Sequence, residues 1–265
     1  MLIVGELINA SRKTIREAIE SKDESLIKDV ASQQVENGAD YIDVNAGVFV
    51  GKEADYLKWI VETVQDAVSK PCCIDSPDPK VIEKTLTVHK GTAFINSISL
   101  EKERWDALSP IVAGTDLKIV ALCMSDAGMP ETFDDRIAIA DKLINKLIQN
   151  NVSIENIYID PLVQPLSTNN QFGVEFLKAV AKIRTTFEGV HTICGLSNIS
   201  FGLPERKFLN QVFMTLAIAN GLDGAIVNPL DKKMMANINA AETLMGHDDF
   251  CMNYLKAFRA GQFES

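Results

Sequence analysis

Along this chain, short uninterrupted apolar runs alternate with longer stretches in which apolar residues recur every three or four positions. The short runs fall at 2–5, 41–44, 72–74, 93–95, 118–122, 156–159, 192–195 and 224–227. Continuous apolar runs of this length suit parallel strands covered on both faces; a sheet with one wet face would alternate instead. Between them the period is helical. Residues 53–68 place Leu57, Ile60, Val61, Val64 and Val68 on one side, and residues 134–149 do the same with Ile137, Ala140, Leu143, Ile144, Leu147 and Ile148. Asp78-Pro79 predicts an N-cap acid before a first-turn proline, and Ser99 ahead of Glu101 predicts a second cap. A further helix over 248–259 is expected to close the chain.

Eight strand-then-helix units predict an α/β fold, one closed TIM (β/α)8 barrel spanning residues 1–265 as a single domain. A doubly wound open sheet is the rival. It would place a glycine-rich phosphate turn after the first strand, where this chain has Glu6-Leu7-Ile8-Asn9-Ala10. No linker or low-complexity tract interrupts the pattern.

Composition narrows the function classes. The 265 residues are 46% hydrophobic and 23% charged, with a net charge of −10 spread along the chain. No basic run suits a phosphate backbone, so nucleic acid is not an expected partner. No run of 18 apolar residues predicts a membrane span, and Met1 to Glu6 lacks the basic start of a signal peptide, so a cytoplasmic protein is expected. Cys72, Cys73, Cys123, Cys194 and Cys251 form no Cys-x-x-Cys pair and read as reduced, mostly buried thiols. His89, His191 and His247 lack the spacing of a zinc pair, so no metal site is expected.

Polar residues then mark where the strands end. Glu6 and Asn9 follow the first strand, Asp43 and Asn45 sit at the second, and Asp75, Asn96, Asp160, Asn198 and Asn228 follow the third, fourth, sixth, seventh and eighth. In a barrel all these ends converge on one mouth. Carboxylates and carboxamides with hardly a cation among them suit a neutral heterocycle rich in N–H donors. Each alone could equally be a turn or cap residue. Asp43, held by neighbouring amides, Asn45 and Asn228 are the ones for which a structural role is kept open.

The segment Gly195-Leu196-Ser197-Asn198-Ile199-Ser200-Phe201-Gly202-Leu203-Pro204-Glu205-Arg206, with Leu209-Asn210 beyond it, resembles the signature of the pterin-binding methyltransferases. That family includes the folate domain of cobalamin-dependent methionine synthase and the acetogen enzyme that methylates a corrinoid/iron–sulfur protein. Gly5-Glu6-Leu7-Ile8-Asn9, Asp43-Val44-Asn45, Ile74-Asp75-Ser76, Ile95-Asn96-Ser97 and Tyr158-Ile159-Asp160-Pro161-Leu162 agree with it in order and spacing. The resemblance covers essentially the whole chain.

It implies a dihydropteroate synthase-like TIM barrel. It also implies exchange of a methyl group between N5 of (5-methyl)tetrahydrofolate, the substrate, and the cobalt of a corrinoid (cobalamin) carried by a separate protein. By the same resemblance Asp75, Asn96 and Asp160 bind the pterin ring and Asn198 stabilises charge at N5. Ser197, Gly195, Arg206 and Asp43 lie around the ligand. A homodimer is implied too. The partner is expected on loops 46–52, 125–132, 163–172 and 199–206, of which 126–132 and 164–171 are rich in turn formers and expected to be mobile. Dihydropteroate synthases carry Arg-Lys where Ile199-Ser200 stands here, which argues against that activity. Methionine synthase needs thiolate zinc ligands and a cobalamin module, for which this chain lacks the cysteine spacing and the length. A non-catalytic folate-binding subunit is the other alternative. The residues leave the direction of transfer open.

Overall fold

The computed structural model describes residues 1–263. Its strands are β1 (Leu2–Asn9), β2 (Tyr41–Asn45), β3 (Cys72–Asp75), β4 (Phe94–Leu100), β5 (Lys118–Ser125), β6 (Ile157–Asp160), β7 (His191–Thr192) and β8 (Gly224–Val227). The helices are α1 (Lys13–Ser21), α2 (Glu24–Glu36), α3 (Glu53–Ala67), α4 (Pro79–Leu86), α5 (Lys102–Val112), α6 (Phe133–Gln149), α7 (Phe172–Thr186), α8 (Arg206–Ala219), α9 (Lys232–Leu244) and α10 (Met252–Arg259). All paired strands are parallel, in the order β7-β6-β5-β4-β3-β2-β1-β8. The ring closes at the β7/β8 seam through a single parallel bridge, Gly195 to Ile226, with the Ile226 amide donating to the Cys194 carbonyl at 3.0 Å. Gly224 permits this approach, since a Cβ there would stand 3.2 Å from the Thr192 carbonyl. The expected TIM barrel is the observed fold.

Strand alternation sorts each side chain to one of two interiors. Ile42, Val44, Ile74, Ile95, Ile119, Ala121, Ile157 and Ile159 pack outward against the helices. Val4, Tyr41, Cys73, Phe94, Val120, Tyr158 and Ile193 point inward and fill the barrel floor. Phe94 anchors that floor, with ring centroids 5.5 Å from Tyr41 and 4.9 Å from Tyr158. Toward the strand ends the inward positions turn polar: Asp43, level with Cys73 of the floor, and above that level Asn45, Asp75, Asn96 and Asp160. Cys72 and Cys73 face opposite sides, as adjacent strand residues must. All five cysteines are free; Cys251 is exposed and the others buried.

The helices begin and end where the local chemistry asks. Asp78 caps α4 by accepting from the Lys80 amide at 2.9 Å, with Pro79 in its first turn. Thr132 and Asp135 form a reciprocal capping box on α6. The apolar stripe of α3 is buried as expected at Leu57, Ile60, Val61 and Val64. Two expectations need correction. Ser99 is not a cap: it lies inside β4, its hydroxyl donating to Glu101 at 2.9 Å, and the start of α5 is instead capped by Asp126, which accepts from the Lys102 amide at 3.0 Å. The closing helix is shorter than 248–259, because Phe250 and Cys251 turn left-handed ahead of α10. Among the described residues no helix is long and apolar enough to cross a membrane.

Candidate active site

Strand register brings the candidate carboxyls together. Asn45 on β2 stands opposite Asp75 on β3, which stands opposite Asn96 on β4. The Asn45 carboxamide donates to Asp75 Oδ2 at 2.8 Å, while its own oxygen accepts from the Gly47 amide at 2.9 Å. The same i-to-i+2 turn recurs around the mouth. Asn9 accepts from Ser11 at 2.9 Å, Asp160 from Leu162 at 2.8 Å and Asn228 from Leu230 at 2.9 Å. A short polar side chain at a strand end thus shapes its own loop. For Asn45 and Asn228 this is the structural role left open by the sequence.

Asp43 differs from expectation. It is buried, and no neighbouring amide holds its Oδ1, which has no hydrogen-bond partner among the described residues. Burial first, and then the charge of Asp75, push its carboxyl well above the ordinary range, while Cys73 and Asn96 beside it ease the shift. Burial also raises Asp75, against the Asn45 contact and the Arg104 charge. Asp160 is pushed up to about 7 by burial, against the amides of Leu162 and Gly195 and the charge of Arg136. Glu6 is raised by burial, with Arg12 at 3.3 Å and Arg206 opposing. Desolvation thus raises all four carboxyls at the strand ends, the environment in which functional carboxyls are commonly found.

A cavity of about 940 Å³ opens beside β3 and β4, lined by Asp75, Asn96, Ser97, Arg104, Leu122 and Met124 among others. A smaller one, about 160 Å³, lies across the mouth between Glu6, Ser197, Asn210 and Asn228. Asp160 lines neither. Asn198 lies in a short 3₁₀ turn over Leu196–Ser200 and is exposed. Gly195 forms the closing bridge and backs Asp160 with its amide. Among the described residues no cluster of three or more His, Cys, Asp or Glu side chains could hold a metal ion.

Three arginines shape this mouth through main-chain carbonyls. Arg104 donates to the carbonyls of Ser97 at 2.6 Å, Pro77 at 2.7 Å and Ser76 at 3.0 Å, holding the peptides that follow Asp75 and Asn96. Arg206 donates to the Ser197 carbonyl at 2.7 Å and the Ser200 hydroxyl at 3.1 Å, holding the turn that carries Asn198. Arg136, fully buried, reaches Pro161, Thr132 and Leu162. The sequence pointed to Arg206 as a residue near the ligand; it gave no sign of Arg104 or Arg136. Their acceptors are peptide oxygens up to 28 positions away, which no spacing pattern encodes.

The loops expected to be mobile are laced together. Gln164 donates to the Pro130 carbonyl, Glu175 accepts from the Phe133 amide, and Arg136 joins Thr132 to Pro161. Apolar side chains nonetheless stand out at three loop tips: Val50 is 92% exposed, Phe201 64% and Met129 60%.

Comparison with known proteins agrees with this geometry. A methylcorrinoid:tetrahydrofolate methyltransferase of Eubacterium limosum is 40% identical over 264 residues, covering 99% of this chain and 97% of that protein. Methionine synthase of Mycobacterium tuberculosis is 31% identical over 86% of this chain and 20% of its own length. Among solved structures, a dihydropteroate synthase from Coxiella burnetii in complex with pteroic acid superposes with a TM-score of 0.73 at 18% identity, covering 93% of this chain and 94% of that one. One from Xanthomonas albilineans in complex with 7,8-dihydropteroate gives 0.67 at 17% identity, over 93% and 92%. At such identities the likeness is one of fold. The profile of the pterin binding enzymes matches residues 5–228, from the glycine before Glu6 to the last asparagine of the ring, and the chain belongs to that family.

Proposed function

We propose that this chain is a methyltransferase that moves a methyl group between the cobalt of a corrinoid on a separate protein and N5 of tetrahydrofolate. The observation that carries the reading is the 40% identity, over 99% of the chain, to the methylcorrinoid:tetrahydrofolate methyltransferase of Eubacterium limosum. That name has the methylcorrinoid first, and we take it as donor and tetrahydrofolate as acceptor here. The ring chemistry fits the acceptor. A reduced pterin offers ring N–H groups and an exocyclic amine, and the mouth offers Asp75, Asp160 and the unpartnered Asp43 oxygen as acceptors, with Asn96 beside them.

The methylcorrinoid, a substrate delivered by its own protein, supplies the activated methyl group. In our reading Asp75, Asn96 and Asp160 fix the ring over the apolar floor, with Asp43, Gly195, Ser197 and Arg206 around it. As N5 bonds to the methyl carbon, the carbon–cobalt bond breaks and its electron pair stays on the corrinoid as cobalt(I), while N5 gains positive charge and then loses its proton to water. Asn198 turns its carboxamide dipole toward N5 and stabilises that charge, a preorganised contact that strengthens only in the transition state. The corrinoid protein docks on the loop tips that carry Val50, Met129 and Phe201. We also propose a homodimer and a cytoplasmic location.

The test is spectroscopic, in two cuvettes, one holding methylcobalamin with tetrahydrofolate and the other cob(I)alamin with 5-methyltetrahydrofolate. Conversion in either supports the methyltransferase, with the first expected to run faster. Tetrahydrofolate binding without conversion by free cobalamin or by corrinoid protein would favour a binding subunit. No folate binding would overturn the reading of the Asp and Asn ring.

A further inference from the structure

Arg136 is fully buried, and no carboxylate among the described residues lies within salt-bridge distance of it. A cation removed from water is costly unless its donors are satisfied. Here they are satisfied by peptide oxygens: Nε donates to Pro161 at 3.0 Å, Nη1 to Thr132 at 3.0 Å and Nη2 to Leu162 at 3.5 Å. The guanidinium face lies 5.8 Å from the Phe172 ring. Two of the three acceptors follow Asp160 directly. Leu162 is held left-handed at φ 65°, and in that position its amide donates to Asp160 Oδ1 at 2.8 Å. The third acceptor belongs to the β5–α6 loop, so one planar fork fixes two mouth loops and the amide that orients a site carboxylate. A methionine in its place would satisfy none of these carbonyls.

We propose that Arg136 is a positioning residue of the folate-ring site, acting through the Pro161 and Leu162 carbonyls on the orientation and charge of Asp160. The inference rests on the reading of Asp160 as a ring ligand. The groups facing Asp160 are few. Arg136 comes from α6, the Cys123 thiol from β5 and the Cys194 thiol from the strand end after β7. Burial raises both thiols and keeps them neutral, and the amides of Leu162 and Gly195 complete the shell. Arg136 itself is faced by Glu175 and Asp135 at longer range. Among the described residues it is thus the only cation that acts on Asp160.

The experiment is titration calorimetry of tetrahydrofolate between about pH 5.5 and 9, under anaerobic conditions, on the wild type and on Arg136→Met, Arg136→Lys and Asp160→Asn. In the wild type affinity falls on the acid side with a midpoint near the Asp160 value of about 7. Removing the cation in Arg136→Met moves that midpoint up, and each pH unit of the move is about tenfold in affinity below it. Arg136→Lys keeps the charge and hence the midpoint. Its compact ammonium cannot span three carbonyls, and affinity drops roughly 3- to 10-fold. A merely structural arginine would lower affinity in both variants without moving the midpoint in either. An unmoved midpoint in a folded Arg136→Met, or wild-type affinity in Arg136→Lys, overturns the inference. If the methionine variant fails to fold, Arg136→Gln, neutral but still able to donate to a carbonyl, takes its place, and an unmoved midpoint there overturns the inference. Wild-type affinity in Asp160→Asn would overturn the site reading itself, and the inference with it.

Discussion

Replacing Asp75 by asparagine should make the protein more stable and worse at binding folate. Asp75 is raised by burial, so ionising it costs more in the folded chain than in the unfolded one. The proton-binding balance then runs against stability above the unfolded carboxyl pKa, and a neutral isostere removes that cost. The substituted carboxamide keeps an oxygen for the Asn45 donor now 2.8 Å away. It also relieves Asp43, which the Asp75 charge pushes further up. Each kcal/mol relieved raises Tm by about 2–4 °C in a chain of this size. Binding moves the other way. A charge-assisted acceptor contact is worth about 1.5–3 kcal/mol, or roughly 10- to 150-fold in Kd, and an amide N–H facing a ring N–H adds a mismatch. Thermal unfolding at about pH 7.5 and calorimetry with tetrahydrofolate measure both effects on one preparation. A Tm lowered by several degrees would mean that Asp75 is a structural acid, and unchanged Kd would remove it from the site.

Asn198→Ala should lower kcat more than it weakens binding; equal effects in single-turnover transfer and in calorimetry would leave Asn198 without a role at N5. Adding corrinoid protein should slow hydrogen exchange at loops 46–52, 125–132, 163–172 and 199–206, and Met129→Asp should raise the KM for that protein; protection confined to the opposite barrel face would sink the docking surface. Asp223 presents a pH prediction. Burial alone would raise it, but His191 at 2.7 Å, the Thr192 amide at 2.8 Å and Arg184 at 3.0 Å lower it on balance. A depressed carboxyl contributes stability above its unfolded pKa and loses it as pH falls below about 3.8. Asp223→Asn should therefore cost roughly 1–3 kcal/mol at about pH 7 in urea unfolding, with the gap to wild type closing below about pH 4; a gap constant with pH would refute the assignment.

The barrel was legible because every strand is covered on both faces, so each appears as a continuous apolar run that no wet-faced sheet would produce. Strand ends were less so. β1 runs past Glu6 to Asn9 because its register shifts between Gly5 and Ile8, returning Ile8 to the core, and the polar residues there had suggested a loop. β7 is shorter than its apolar run, since Ile193 and Gly195 leave regular pairing to reach the seam. The polar ring could be read as a set because strand ends converge. Its individual roles could not, because a side chain that shapes a turn and one that waits for a ligand are spelled alike. Asn45 and Asp43, whose Oδ1 has no partner among the described residues, were separated only by register and burial.

The single bridge at the β7/β8 seam also bears on motion. Every other neighbouring pair of strands shares at least two registered positions, so the barrel wall has one yielding link. Local opening begins where the fewest bonds must break together. The Leu196–Ser200 turn follows that link, so Asn198 sits beside the most sparsely laddered seam of the cylinder, braced by the side chains of Asp223 and Arg206. Under the roles proposed above, give in this wall lets the carboxamide follow N5 as its geometry changes while the carboxylates on β2, β3 and β6 hold the ring still.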